Sequence, residues 1–127
     1  MKPTLLIKPT LLLTAAVSLL VVGPASAHHS GAMFDSSKEL TLVGTIKEFQ
    51  WTNPHSWVQV LVPDARGKVV EWSLEMSGTS GLYRRGWRAS SLKPGDKVTI
   101  VTNPMRNGSP AGNVRSVTMA DGRKLGE

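Results

Sequence analysis

The sequence predicts a mainly β domain, a small closed barrel of five strands with one short helix between the third and fourth strands. Three observations predict it. Apolar and polar residues alternate with a period of two in several short runs, which is typical of half-buried strands. Turn-forming residues separate these runs. Only the stretch 77–87 breaks the alternation with the signals of a helix.

The first predicted strand, 40–51, is long and irregular. Leu40, Leu42 and Ile46 share one face, and the apolar phase then shifts by one residue towards Phe49. Gly44 also falls on the apolar face. A glycine together with a phase shift indicates a β-bulge or a sharp bend, as required when one strand takes part in both sides of a barrel.

The remaining elements follow in order. Strand two is the apolar run 57–62, and strand three, 69–76, alternates most clearly, with Glu71 and Glu75 predicted on the outward, solvated face. In the helix, Thr79 or Ser80 is the expected N-terminal cap, and Gly86 fits the position after the last turn. Strands four and five, 97–102 and 113–119, flank a glycine-rich loop, 103–112.

This order of elements is that of the OB-fold, in which the loops joining strands one to two and four to five bind ligands. Those loops are here 51–56 and 103–112. The alternative that strand order leaves open is a small open β-sandwich.

The N-terminal residues 1–27 have the pattern of a secretory signal peptide. Lys2 and Lys8 supply the positive region, an apolar run follows at 11–22, and small residues predict cleavage after Ala27. Cleavage would lower the formal net charge from +6 to +4 and leave an extended arm (28–39), the barrel (40–120) and a polar tail (121–127). Met33 and Phe34 are the residues expected to pin the arm to the barrel. We therefore expect a periplasmic or secreted protein with no membrane span, which is stabilised by packing alone because the chain has no cysteine.

Three motifs resemble an uncharacterised family of short exported bacterial proteins, catalogued as a domain of unknown function. They are Ala-His-His-Ser at 27–30, Trp-Thr-Asn-Pro-His-Ser-Trp at 51–57, and Arg-Arg-Gly-Trp at 84–87 followed by Leu-Lys-Pro-Gly-Asp at 92–96. The resemblance covers essentially the whole mature chain and implies no particular activity. The architecture is also distantly similar to periplasmic bacterial OB-fold proteins, which implies binding of small ligands by analogy.

A ligand site is predicted around the turn 51–57. Pro54 fixes its own φ and keeps Asn53 out of the helical region, so His55 lies on a turn between Trp51 and Trp57. With the second loop added, the predicted residues for a small-molecule or anionic ligand are Trp51, Asn53, His55, Trp57 and Arg106. A packed corner without a ligand is the alternative interpretation.

A second hypothesis concerns copper. After cleavage, the free amine and the imidazole of His28 could chelate one ion, and His29 or His55 could complete a planar nitrogen set that suits Cu(II). The alternative is that His28 and His29 are ordinary surface residues. No other cofactor is predicted.

Other functions find little support. A group of five arginines could follow nucleic acid, but export argues against that partner. The group consists of Arg84, Arg85, Arg88, Arg106 and Arg115. A solvated rim is the simpler interpretation, and an acidic glycan or a lipid headgroup is the remaining alternative. No enzyme motif is present, and the one acid–base pair that suggests itself is His55 with Asp35. No protein partner is predicted.

Overall fold

A computed structural model describes Met1 and residues 31–126, which contain six strands, one α-helix and a short 3-10 turn. The elements are the 3-10 turn Gly31–Met33, β1 Leu40–Gln50, β2 Trp57–Pro63, β3 Val69–Glu75, α1 Thr79–Arg84, β4 Lys97–Pro104, β5 Ala111–Met119 and β6 Lys124–Gly126. The predicted signal peptide, His28 and His29 lie outside the described residues. Within the described part, no helix has the length and apolar character needed to cross a membrane.

The strands close into a barrel because β1 has two partners. Its first part, Leu40 to Thr45, pairs antiparallel with β4, and the part from Thr45 onward pairs with β2. The register shifts between Ile46 and Glu48, which is the predicted irregularity. The sheet order is β3-β2-β1-β4-β5-β6, and a parallel pairing of β3 with β5 completes the closure. The predicted five-stranded barrel with a helix between strands three and four is confirmed.

Gly44 lies where β1 passes from one partner to the other. A Cβ atom at this position would be 2.4 Å from the backbone carbonyl oxygen of Leu61, so only glycine fits. Leu40, predicted on the inward face of the same strand, is instead 40% exposed. It is the first residue of β1, before the strand enters the barrel wall.

The end of α1 places the largest core side chain. Gly86 has φ +93°, its N–H donates to the Tyr83 carbonyl, and the Trp87 N–H donates to the Leu82 carbonyl. This is a Schellman ending, and it confirms the predicted role of Gly86. Trp87 is thereby fully buried, and its indole Nε1–H donates to the Gly126 carbonyl oxygen at 2.9 Å.

The C-terminal segment differs from the predicted polar tail. β6 pairs antiparallel with β5, and Leu125 packs against the core. A three-residue strand flanked by polar residues is too short to show a period of two, so sequence alternation missed it. The loop predicted at 103–112 is also shorter, because β4 continues to Pro104 and β5 begins at Ala111.

Candidate functional site

A cleft of about 410 Å³ opens between the N-terminal arm, the β1–β2 loop and the junction of β3 with β5. Gly31 and Phe34 contribute the arm side of its lining. The polar side chains that line it are Ser36, His55, Glu75, Ser77, Arg85, Asn103, Asn113 and Arg115. The site is therefore polar and contains both signs of charge.

Glu75 is the buried acidic residue of this cleft, with only 4% of its surface exposed. The prediction that it lies on a solvated outward face is wrong. As the last residue of β3 it is flanked on both sides, by Trp57 of β2 and by Asn113 of β5. Closure of the barrel thus removes the solvent that an open strand end would have, and a carboxylate buried in this way needs a partner.

That partner is His55, whose Nδ1 contacts Glu75 Oε1. The predicted pairing of His55 with Asp35 is therefore replaced by a pairing with Glu75. The imidazole Nε2 has no hydrogen-bond partner among the described residues, and the side chain remains 37% exposed. A carboxylate on one ring nitrogen fixes the imidazole orientation and leaves the other nitrogen for a ligand.

The loop carrying His55 is fastened to the residues after β3. The Ser56 N–H donates to the Ser77 carbonyl at 3.1 Å, and the Met76 N–H donates to the Ser56 carbonyl at 2.9 Å. The Thr52 hydroxyl donates to the carbonyl oxygen of His55 at 2.7 Å. Backbone bonds on both sides hold His55 beside Glu75.

Asn53, which is also a predicted ligand residue, contacts the start of α1. Its Oδ1 accepts a hydrogen bond from the Thr79 N–H at 3.0 Å. The residue at the N-cap is Gly78, which has no side chain for capping, so the predicted cap by Thr79 or Ser80 is wrong. Gly78 also lies against the loop, since a Cβ atom there would be 2.6 Å from the Pro54 carbonyl oxygen.

The two tryptophans of the loop do not line the cleft. Trp51 is partly buried and makes an edge-to-face contact with Phe49, at 5.8 Å between ring centroids. Trp57 is also partly buried, and it is the first residue of β2. Of the predicted ligand residues on this loop, only His55 belongs to the cleft.

Arg106 holds the N-terminal arm in place. Its Nε donates to the Ala32 carbonyl at 3.2 Å, and Nη1 lies 3.8 Å from the carboxylate of Asp35. The Ser37 hydroxyl, followed by Lys38 and Arg106, lowers the pKa of Asp35 from its ordinary value. Arg106 thus has a structural role, and its predicted part in ligand binding stays a prediction.

Phe34 also fastens the arm. It is buried and forms an isolated β-bridge with Met105, as predicted for a residue that pins the arm. Met33, the other predicted anchor, is 44% exposed. The arm therefore passes over the β4–β5 loop and reaches the cleft at Gly31.

Comparison with known proteins identifies a family. The model of a family of unknown function, DUF6152, matches residues 16–115. The chain belongs to this DUF6152 family. The match includes every polar side chain named above for the cleft and ends at Arg115.

No curated protein matches the DUF6152 chain. Among solved structures, the mitochondrial single-stranded DNA-binding protein Rim1 of S. cerevisiae is similar, with 11% sequence identity and a TM-score of 0.48. The similarity covers 68% of this chain and 97% of that chain.

The two arginines of the DUF6152 cleft differ in their contacts. Arg115 is exposed and has no partner among the described residues, whereas Arg85 donates to the Ser77 hydroxyl at 3.2 Å. The described residues contain no group of three His, Cys, Asp or Glu side chains that could hold a metal ion. The described residues of the site can thus offer one imidazole nitrogen, from His55, and the positive charge of Arg85 and Arg115.

Proposed function

We propose that this protein is an exported, non-enzymatic binding module and that the cleft beside His55 holds a small anionic ligand. Export rests on the signal-peptide pattern of residues 1–27. The cleft lies beside the β1–β2 loop, one of the two loops that OB-folds use for ligands. The β4–β5 loop contributes to the cleft indirectly, because its Met105 pairs with Phe34 of the arm that lines the cleft.

The observation that carries the proposal is the buried pair of Glu75 and His55 in a polar cleft. A carboxylate so deeply buried costs several kcal/mol unless it is compensated, as a rough measure. His55 compensates it and stays partly exposed, so its second ring nitrogen is held ready for a ligand. Arg115 adds an unpaired guanidinium, which binds carboxylates and phosphates through two parallel hydrogen bonds.

A titration with citrate, followed by amide chemical shifts in NMR spectra, tests the proposal. We expect saturable shifts at Asn113 and Arg115, and about tenfold weaker binding in Arg115→Gln, since one charge-assisted contact is lost. Arg66→Gln is the matched control, because Arg66 is an exposed arginine in the β2–β3 turn that does not line the cleft. Equal binding by the two variants, or shifts centred outside the cleft, would refute the anionic ligand.

Copper binding is the second candidate, favoured by the path of the arm. Gly31 lines the same cleft as His55, and His29 and His28 precede it by two and three residues. An extended chain covers roughly 3.3–3.6 Å per residue, so both histidines are within about 10 Å of Gly31 along the chain. Cleavage after Ala27 would give His28 a free amine, and His55 Nε2 could complete the set with Glu75 as the supporting carboxylate.

The copper candidate has its own test. Cu(II) affinity is measured by competition with a chelator for a chain beginning at His28, for the same chain with one added N-terminal residue, and for His55→Ala. We expect the added residue and the substitution each to weaken binding by at least about tenfold, because each removes a nitrogen ligand. Equal affinities in the three proteins would end the copper hypothesis. The mass of the protein secreted by cells shows independently whether its N-terminus is His28.

A further inference from the structure

A second surface combines aromatic rings with an unpaired cation. Trp51, Thr79, Ser80, Tyr83 and Arg84 line a shallow depression of about 380 Å³, which we call the Trp51 platform. It shares no lining residue with the cleft of His55. The sequence motif that contains Trp51 therefore contributes to two separate surfaces.

The rings of the platform are held from behind. Trp51 packs on Phe49, and Phe49 packs in turn on the fully buried Trp87 at 6.0 Å between centroids. Tyr83 is fixed by Arg88, whose guanidinium carbon lies 3.8 Å from the centre of the phenol ring. Tyr83 is nevertheless 58% exposed. A large ring that is both immobilised and exposed loses little conformational entropy when a ligand stacks on it.

The platform also has polar groups without a hydrogen-bond partner among the described residues. The indole N–H of Trp51, the hydroxyl of Ser80 and the guanidinium of Arg84 make no hydrogen bond within the described part of the chain. Thr79 is different, because its hydroxyl is engaged with Asn53. The platform thus offers a ligand two hydrogen-bond donors, the indole N–H and the guanidinium, and the hydroxyl of Ser80.

The number of available cations decides the class of ligand. A nucleic-acid strand requires a row of cations that follows its phosphates. Here Arg88 is occupied, since Nη1 donates to the carbonyls of Tyr83 and Trp87 at 3.2 and 2.7 Å. Arg85 donates to the Ser77 hydroxyl. Among the described residues that line the platform, Arg84 is the one cation without a hydrogen-bond partner, and one cation suits one acidic group.

We propose that the Trp51 platform binds a uronic acid residue of an acidic glycan. The apolar face of the pyranose ring stacks on Trp51 and Tyr83, and the carboxylate pairs with Arg84. Ser80 and the indole N–H serve the sugar hydroxyls. This function is independent of the ligand in the His55 cleft.

Trigalacturonic acid is the probe, titrated at low salt while tryptophan fluorescence and NMR shifts are recorded. We expect saturable shifts at the Trp51 indole and the Tyr83 amide, and weaker binding as salt is added. Maltotriose, a neutral trisaccharide, should bind about tenfold more weakly, because it lacks the charge-assisted contact. Equal affinity for the two trisaccharides, or tighter binding of an oligothymidylate at the platform, would overturn the proposal.

Variants at exposed positions locate the site without disturbing the core. Arg84→Gln and Tyr83→Ala should each weaken binding of trigalacturonic acid by about tenfold. Arg66→Gln removes the same charge in the β2–β3 turn and should leave the affinity unchanged. An effect of Arg84→Gln no larger than that of Arg66→Gln would refute the assignment. Thermal melting monitored by circular dichroism verifies that each variant is folded.

Discussion

The pairing of His55 with Glu75 predicts a strong coupling between two substitutions. In His55→Ala the buried carboxylate loses its partner, which by analogy with other buried pairs costs about 3–5 kcal/mol. Because His55 is 37% exposed and water can enter, we expect a smaller loss than this, about 2–3 kcal/mol. Glu75→Ala leaves only a partly exposed imidazole without its acceptor, so it should lower the free energy of unfolding by about 1 kcal/mol.

The double variant His55→Ala/Glu75→Ala isolates the interaction energy between the two side chains. Once Glu75 is alanine, removing His55 no longer leaves a buried charge, so the double variant should lose only about 1–2 kcal/mol, and the coupling should be about 2 kcal/mol. Urea unfolding, monitored by circular dichroism at one neutral pH, gives the four free energies of unfolding.

An exposed ion pair that also uses a glutamate of β3 is the control for this cycle. Lys47 and Glu71 form a salt bridge of 2.7 Å, but their side chains are 50% and 44% exposed. The expected coupling is only about 0.2–1 kcal/mol, because both charges are solvated. If His55 and Glu75 are coupled no more strongly than Lys47 and Glu71, the argument that burial makes this pair important is wrong.

Three further predictions concern the elements that support the site. Gly44→Ala places Cβ 2.4 Å from a carbonyl oxygen of β2 and should cost about 3 kcal/mol or prevent folding, whereas Gly31→Ala, which has open space, should be neutral in the same urea unfolding. Asn53→Ala should cost about 1 kcal/mol by leaving the Thr79 N–H unpaired, and Asn53→Asp should restore most of it, again by urea unfolding; equal losses in both variants would contradict the capping role. The pKa of Asp35 is lowered in the folded protein, so its contribution to stability is present above its ordinary value of 3.8 and is lost as the pH falls through the lower folded value. The free energy of unfolding of Asp35→Asn should therefore approach that of the unaltered protein in strong acid, and a difference that stays constant with pH would contradict this.

The fold was predictable because local signals and barrel closure agree. The phase shift after Gly44 and the positive-φ glycine at 86 each have one physical interpretation, and the structure has the corresponding bulge and helix ending. β6 was not predictable, because three residues among polar neighbours carry no measurable period. Its contact with Trp87 depends on a hydrogen bond between residues 39 positions apart, which no local pattern encodes.

The site was predicted less well than the fold, for a related reason. The alternation in β3 correctly separates Glu75 from Leu74, but it specifies a face and not an exposure. At the end of this strand the outer face is covered by the β1–β2 loop and by β5. A predicted barrel already requires the strands next to the closing seam to have neighbours on both edges. Such neighbours do not by themselves cover an outward side chain, so no signal in the sequence showed the burial of Glu75.

The β1–β2 loop links these observations. Asn53 ties the loop to the start of α1, and His55 ties it to the end of β3, so one turn of the chain supports both the Trp51 platform and the cleft. The supports are nevertheless separate. Backbone bonds of Ser56 with residues 76 and 77 hold His55 without help from Asn53. The motif that the sequence predicts as a single ligand site is thus divided between two surfaces, because the turn places Trp51 on one and His55 on the other.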